Sequence, residues 1–167
     1  MRRAVRATLM GLGLLCLAPA QAETLLQKSK RDATLDIATS DPQMKAAFAR
    51  AQKTLATFLD ALDGKVPGAG DFAVKIPVVD DAKTEYFWVN EIAHKGNIFS
   101  GKINNRPETV HNVEFGQTIS FPRTQIRDWG YTKNGRMQGN FTTCVLLSRE
   151  DPAEAQELKD QIGLTCK

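Results

Sequence analysis

Histidine is nearly absent from this chain. His94 and His111 are the only two, and neither stands at ligand-like spacing to a cysteine. A zinc site of histidine and cysteine, or a nucleophile activated by a histidine base, therefore has little to draw on. No Gly-x-x-x-x-Gly-Lys loop is present to cradle a phosphate, and Ser100, Ser120 and Ser148 do not sit in a nucleophile-elbow pattern. Glu85, Glu91, Glu108 and Glu114 could supply paired carboxylates for sugar hydrolysis, but their spacing selects no two of them. No metal ion and no cofactor is expected. Long apolar runs are lacking too. The longest, Leu9 to Leu17, falls short of the roughly 20 residues a spanning helix needs, and Pro19 breaks its end.

That short run has a definite context. Arg2, Arg3 and Arg6 precede it, and Ala18-Pro19-Ala20-Gln21-Ala22 follows. A basic start, an apolar stretch and small residues before a cut make a secretory signal, with cleavage expected after Ala22. Cys16 does not read as a lipid-anchored cysteine, because Leu15 stands where a small residue is wanted. The expected product is periplasmic, with no stable membrane insertion. Its charge also changes. The whole chain carries 22 basic and 19 acidic residues; removing Arg2, Arg3 and Arg6, the only charges among residues 1–22, leaves 19 of each sign. Zero net charge gives no support to a nucleic-acid partner.

Removing 22 of 167 residues leaves 145, enough for one domain with its own core. It also leaves two cysteines, Cys144 and Cys166, and an even count in an exported protein reads as a disulfide. Closing a loop of that length contributes about 3 kcal/mol in the chain-entropy model.

Residues 23–40 read as a flexible leader, with a short edge segment around Leu35-Asp36-Ile37; residues 41–167 read as the single domain. Ser40 or Asp41 can cap a helix running to about Leu62, Pro42 suits its first turn, and Ser40 with Gln43 makes a capping box. Met44, Phe48, Ala51, Leu55, Phe58, Leu59 and Leu62 recur at steps of three and four, so they form a core-facing stripe. Gly64 ends that helix. Strands follow over 72–79, 84–92, 98–103 and 118–121, with Pro77 placed at a sheet edge or a bulge. Another strand covers 126–131, Asn134-Gly135 marks a hairpin, and residues 140–147 read as a buried-type strand. Asp151-Pro152 starts a last helix that Gly163 ends. The expected fold is α+β: a curved antiparallel sheet of five to six strands, flanked by a long N-terminal and a short C-terminal helix.

Several motifs in order carry a resemblance. They are Asp41-Pro42 at the helix start, Phe87-Trp88-Val89, Gly101-Lys102-Ile103-Asn104-Asn105, Asp128-Trp129-Gly130-Tyr131, and Gly135 to Thr142, a Gly-x-x-x-Gly-Asn-aromatic-Thr turn. Over residues 41–166 the chain resembles the YegJ-like domains of unknown function. The resemblance brings no established activity. Some similar domains occur among proteins thought to neutralise toxins, which implies a protein-binding role.

Asp128, Trp129, Tyr131 and Arg136 form the densest polar and aromatic cluster in the sequence, joined by Asn140 and Thr142. Tryptophan, tyrosine and arginine supply much of the energy at protein interfaces, so the cluster reads as a recognition surface. It also reads as a structural corner, with Trp129 in the core and Asp128 bonding turn amides, and packing logic favours this second reading. Asn104, Asn105 and Arg106 could hold a carboxylate or a sugar, although asparagines in turns more often satisfy backbone groups. Asn140-Phe141-Thr142 also matches a glycosylation acceptor, a motif with many false positives. The expected function is a non-enzymatic protein-binding module of inhibitor or toxin-immunity type, its partner another cell-envelope protein. The alternative is a small envelope enzyme or a cell-wall-binding module. On the signal reading, N-terminal sequencing of the protein from an expressing cell should begin at Glu23; a product beginning at Met1 would end that reading.

Overall fold

A computed structural model describes residues 40–166. The signal, the leader with its Leu35–Ile37 segment, and Lys167 lie outside the described residues. Helix α1, Pro42–Leu62, begins where Asp41 Oδ1 accepts the Gln43 and Met44 N–H groups at 2.9 and 3.0 Å. Asp41 rather than Ser40 is therefore the cap. Met44, Ala47, Ala51, Leu55, Phe58 and Ala61 are buried along one stripe of α1, while Phe48, Leu59 and Leu62 lie half-buried beside it.

Six antiparallel strands follow: β1 (Ala69–Asp80), β2 (Lys83–Lys95), β3 (Ile98–Ile103), β4 (Thr118–Pro122), β5 (Asp128–Lys133) and β6 (Arg136–Gly139). They form one open sheet in the order β4-β3-β2-β1-β5-β6. The first four make a meander. After a 3₁₀ turn at Arg123–Gln125 the chain crosses to the far side of β1 and lays down β5 and β6 there. The β5–β6 connection is Asn134-Gly135, both with positive φ, as the two-residue hairpin signal predicts. Bulges interrupt the ladders at Asp71 in β1 and Glu91 in β2, both with positive φ. Pro77 lies in a central strand, against the simplest form of the edge expectation. The β1–β5 pairing reaches only to Lys75, however, so Pro77, opposite Tyr86, has one strand neighbour. Its missing N–H falls on the bare side.

Val74, Ile76, Phe87, Val89, Trp129 and Tyr131 of the sheet join Ala51, Leu55 and Phe58 of α1 in one core. Phe58 is the centre of its aromatic packing, with ring centroids 6.0 Å from Phe72, 5.8 Å from Trp129 and 6.5 Å from Tyr131. An ion pair and a histidine–carboxylate hydrogen bond tie the ends of α1 to other elements. Arg149 Nη2 lies 2.6 Å from Asp41 Oδ2, and His94 Nε2 lies 2.8 Å from Asp63 Oδ1. The Arg149 hydrogen bond, helped by the Met44 amide, holds the Asp41 carboxyl below its ordinary range; His94 does the same for Asp63, with Lys65 adding to it.

The long connection from β3 to β4 is tied down by side chains. Glu85, buried in β2, accepts the Glu108 N–H at 2.9 Å, the Thr109 N–H at 2.9 Å and the Val110 N–H at 3.0 Å. Asp80 accepts the His111 N–H at 2.8 Å, and Asn112 Nδ2 donates to the Val79 carbonyl at 2.8 Å. Val110 is thereby pressed into the core.

One expectation fails. Residues 141–147 are not a strand but helix α2, Phe141–Leu147. Thr142, Thr143 and Val145 are β-branched and favour strands in isolation. Asn140 turns the chain with φ 58°, and Asp128 then caps the helix from a distance in sequence. A tertiary contact outweighs local propensity. Helix α3, Pro152–Ile162, is capped by Asp151 and ends at Gly163 with φ 64°, as its sequence signals indicate. A small second core of Leu147, Ala155, Leu158 and Leu164 lies under it.

Cys144 and Cys166 are bonded, with Cα atoms 5.6 Å apart. The bridge joins α2, not a strand, to the segment after α3. That segment touches the sheet edge, where the Met137 N–H donates to the Gly163 carbonyl at 3.0 Å. The double Cys144→Ser, Cys166→Ser variant should keep its fold but lose about 2–4 kcal/mol, the typical disulfide contribution. Urea unfolding measures this. A variant as stable as the parent would remove the bridge from any structural role.

Candidate functional site

The geometry starts from one carboxylate. Asp128 opens β5 and is fully buried. Its Oδ1 accepts the Trp129 N–H at 2.8 Å and the Phe141 N–H at 3.3 Å. Its Oδ2 accepts the Thr142 N–H and the Thr142 hydroxyl, each at 2.7 Å. Burial raises the Asp128 carboxyl above its ordinary range; the Thr142 bonds, the charge of Lys75 and the Trp129 amide pull the other way. The residue is committed to holding the first turn of α2. Asn140 completes the corner: its N–H donates to the Trp129 carbonyl at 2.8 Å and its Oδ1 accepts the Thr143 hydroxyl at 2.9 Å. Gly139 has to be glycine here. Its φ is +77°, and a Cβ would overlap the Trp129 carbonyl and ring.

Trp129 is held on both sides. Its Nε1 donates to the Ala51 carbonyl of α1 at 3.0 Å, and Phe141 meets its ring edge-on at 5.4 Å. Tyr131 stacks beside it at 6.0 Å and is buried. Of the sequence cluster, Asp128, Trp129 and Tyr131 are therefore all buried, with Trp129 also lining the groove described below. Arg136 lies apart from them, exposed on β6. Asn104, Asn105 and Arg106 are elsewhere, at the end of β3. The Asn105 side chain accepts the Trp88 N–H at 2.8 Å, extending the sheet, and Arg106 lies 4.9 Å over the Phe115 ring. The structure does not bring these three together with the Asp128 corner.

Above that corner is a groove of about 660 Å³. Helix α1 supplies one wall with Gln43, Ala46, Ala47, Arg50, Thr54 and Thr57. The floor and second wall come from Trp129, Arg136, Met137, Gln138 and Gly139. Helix α2 adds Phe141, Cys144, Val145 and Ser148, and Thr165 completes the rim. The disulfide thus braces one side. Arg50 lies with its Cζ 4.7 Å over the Phe141 ring, a cation–π contact. No aspartate, glutamate, histidine, lysine or tyrosine is among the described residues of the lining.

Sequence reasoning missed this groove. A signal was present: Gln43, Ala46, Ala47, Arg50, Thr54 and Thr57 recur at helical spacing and are mostly short, a second stripe that leaves room beside α1. The opposite wall could not be read, because it depends on 141–147 being helical. Among the described residues, no three histidine, cysteine or acidic side chains gather where they could hold a metal ion. No described helix is long and apolar enough to cross a membrane.

The sequence profile of a bacterial family described as "Uncharacterized protein conserved in bacteria (DUF2314)" matches residues 41–166. The chain is 34% identical over 119 residues to the uncharacterised protein YegJ of Escherichia coli (strain K12), covering 71% of this chain and 76% of that one. It is 32% identical over 126 residues to a Neisseria meningitidis serogroup B protein named as an ankyrin repeat protein, over 71% of this chain but half the length of that one. No solved structure matches.

Removal of the Asp128 carboxylate should be costly. Asp128→Ala leaves two buried N–H groups, one half-buried N–H and a hydroxyl without their acceptor and should cost about 3 kcal/mol or more, whereas Thr142→Val should cost about 1 kcal/mol. Denaturation followed by tryptophan fluorescence reads both. Equal midpoints for Asp128→Ala and the parent would contradict the anchoring role.

Proposed function

Because the chain belongs to the YegJ-like DUF2314 family of uncharacterised bacterial proteins, whose descriptions name no activity, we propose a function from the groove itself. The protein is a non-enzymatic protein-binding module of the cell envelope, of inhibitor or toxin-immunity type, and the groove between α1, β6 and α2 receives its partner. The observation that carries this reading is the composition of the lining. Arginine, tryptophan, phenylalanine and methionine are the residue types enriched where proteins bind one another. Catalysis by proton transfer needs a group that gains or loses a proton near neutral pH, and none is among the described residues of the lining. The carboxylate that looked most available for sugar chemistry, Glu85, is buried and bonded to three backbone N–H groups. The rigid backing supports binding as well. Trp129, Phe141 and the disulfide fix the walls, so little order remains to be imposed when a partner arrives.

The location rests on the export signal. Ala46→Trp tests the groove, since Ala46 is exposed on α1 and a larger side chain there fills the space without entering the core. Protein purified with its cross-linked neighbours from the periplasm should yield one or a few identified envelope proteins. The Ala46→Trp variant, folded to the same melting temperature, should bind them at least ten-fold more weakly. Retention of the same partners at unchanged affinity would take binding away from the groove.

A further inference from the structure

One wall of the groove is closed by a covalent bond. Cys144 and Thr165 both line the groove, and Cys166, next to Thr165, is bonded to Cys144. The two bonded residues differ in their surroundings. Cys144 is half-buried on α2 and packs on the second core, whereas Cys166 is exposed.

The chain up to Leu164 is held without the bridge. Gly163 sits so close to the β5–β6 hairpin that a Cβ there would overlap the Gly135 carbonyl. Its own carbonyl accepts the Met137 N–H at 3.0 Å, and the Leu164 N–H donates to the Lys159 carbonyl at 2.8 Å. The Leu164 side chain is buried in the second core. Helix α2, on the other side, is fixed by Asp128 at its start and by buried Leu146 and Leu147. Thr165 and Cys166 lack such support. Both are exposed, and among the described residues neither forms a backbone hydrogen bond. The bond from Cys166 to Cys144 keeps them at the rim. Breaking it leaves the two cores and the sheet in place and releases one piece of the groove's rim.

We propose that the Cys144–Cys166 bridge sets the grip of the groove on its partner, and that a dithiol reductant releases that grip. This rests on the groove being the docking site and adds its regulation. One thiol of the dithiol gives up its proton and attacks the exposed Cys166 Sγ. A mixed disulfide forms, and the Cys144 sulfur leaves as a thiolate that takes up a proton. The second thiol then attacks the mixed disulfide in the same way and frees Cys166 as a thiol. Two electrons have passed to the cysteine pair, and the dithiol ends as a disulfide. Exchange of this kind depends on access to the sulfur attacked, and Cys166 is the accessible one. In the oxidised form the rim is fixed before a partner arrives. In the reduced form the partner has to order it, and that cost appears as weaker binding.

Treatment of the folded protein with dithiothreitol, followed by iodoacetamide and mass measurement, is the first test. Both cysteines should be alkylated in protein that still melts cooperatively; a bridge that resists until the protein unfolds would overturn the proposal. Hydrogen–deuterium exchange of the reduced form should quicken in peptides covering 144–148 and 163–166, and stay unchanged across β1 and β2. Unchanged exchange at the rim, or faster exchange throughout, would also overturn it. Binding is read with heptapeptides selected by phage display on the oxidised protein and made as free peptides. Those that Ala46→Trp loses are groove ligands, and they should bind about ten-fold more weakly after reduction. The double Cys144→Ser, Cys166→Ser variant should show the weaker binding with or without dithiothreitol. Groove peptides that bind both redox forms equally would remove redox control while leaving the docking site. The same follows if dithiothreitol weakens binding to the serine variant as well. Peptides indifferent to Ala46→Trp, or no enrichment at all, would remove the docking site and its control together.

Discussion

One buried carboxylate holds the far side of this fold in place. Asp128 is the first residue of β5, and its two oxygens receive four donors, three of them from Phe141 and Thr142. A helix of seven residues has too few internal hydrogen bonds to persist by itself. Its first N–H groups need an acceptor, and Asp128 is the one provided. Placing α2 places everything that follows: Cys144 for the bridge, Leu147 for the second core, and Phe141 against Trp129. The burial that raises the carboxyl opposes its ionised form, while every donor aimed at it favours that form. The arrangement is costly if any partner is lost, and this makes it specific.

How much of this could be read from the residues varies with the range of the deciding contact. Helix α1 was legible because Asp41, Pro42 and the three-four spacing of its apolar residues are all local signals. The strands and the Asn134-Gly135 hairpin were legible for the same reason, since positive φ at both positions is written in the residue types. Residues 141–147 were not, since the group that makes them helical lies in another strand and their β-branched side chains argue for the opposite. The crossover from β4 to β5 was equally silent, because no local pattern says which edge of a sheet a returning strand will join. Cysteine arithmetic did better than secondary structure at this end. It identified the Cys144–Cys166 pair correctly while the element carrying Cys144 was misread.

The same difference in range explains what happened to the candidate site. Asp128, Trp129 and Tyr131 stand together in sequence because they are consecutive in a strand, and a strand sends neighbours to opposite faces. With both faces of β5 covered, all of them are buried. The corner reading, preferred on packing grounds, put Trp129 in the core and Asp128 on turn amides, and Asp128 accepts the Trp129, Phe141 and Thr142 N–H groups beside a buried Trp129. Arg136 separates from them across the hairpin and lines the same groove as Arg50, 86 positions earlier in the chain, a groove neither residue announces alone.

The motif residues read from the sequence and the residues that face the groove are largely different sets. Asp128, Gly139, Asn140 and Thr142 form the corner beneath it: a carboxylate for the helix start, a position where only glycine clears Trp129, a left-handed turn, and the threonine that closes the cap. Trp129 and Phe141 serve both, as part of the corner and as groove surface. Arg50, Gln43 and Ala46 on α1, and Val145 on α2, fall outside the motif positions altogether, and Arg136 and Gln138 fall at its variable ones. The corner residues therefore build one side of the groove by holding the start of α2 against β5.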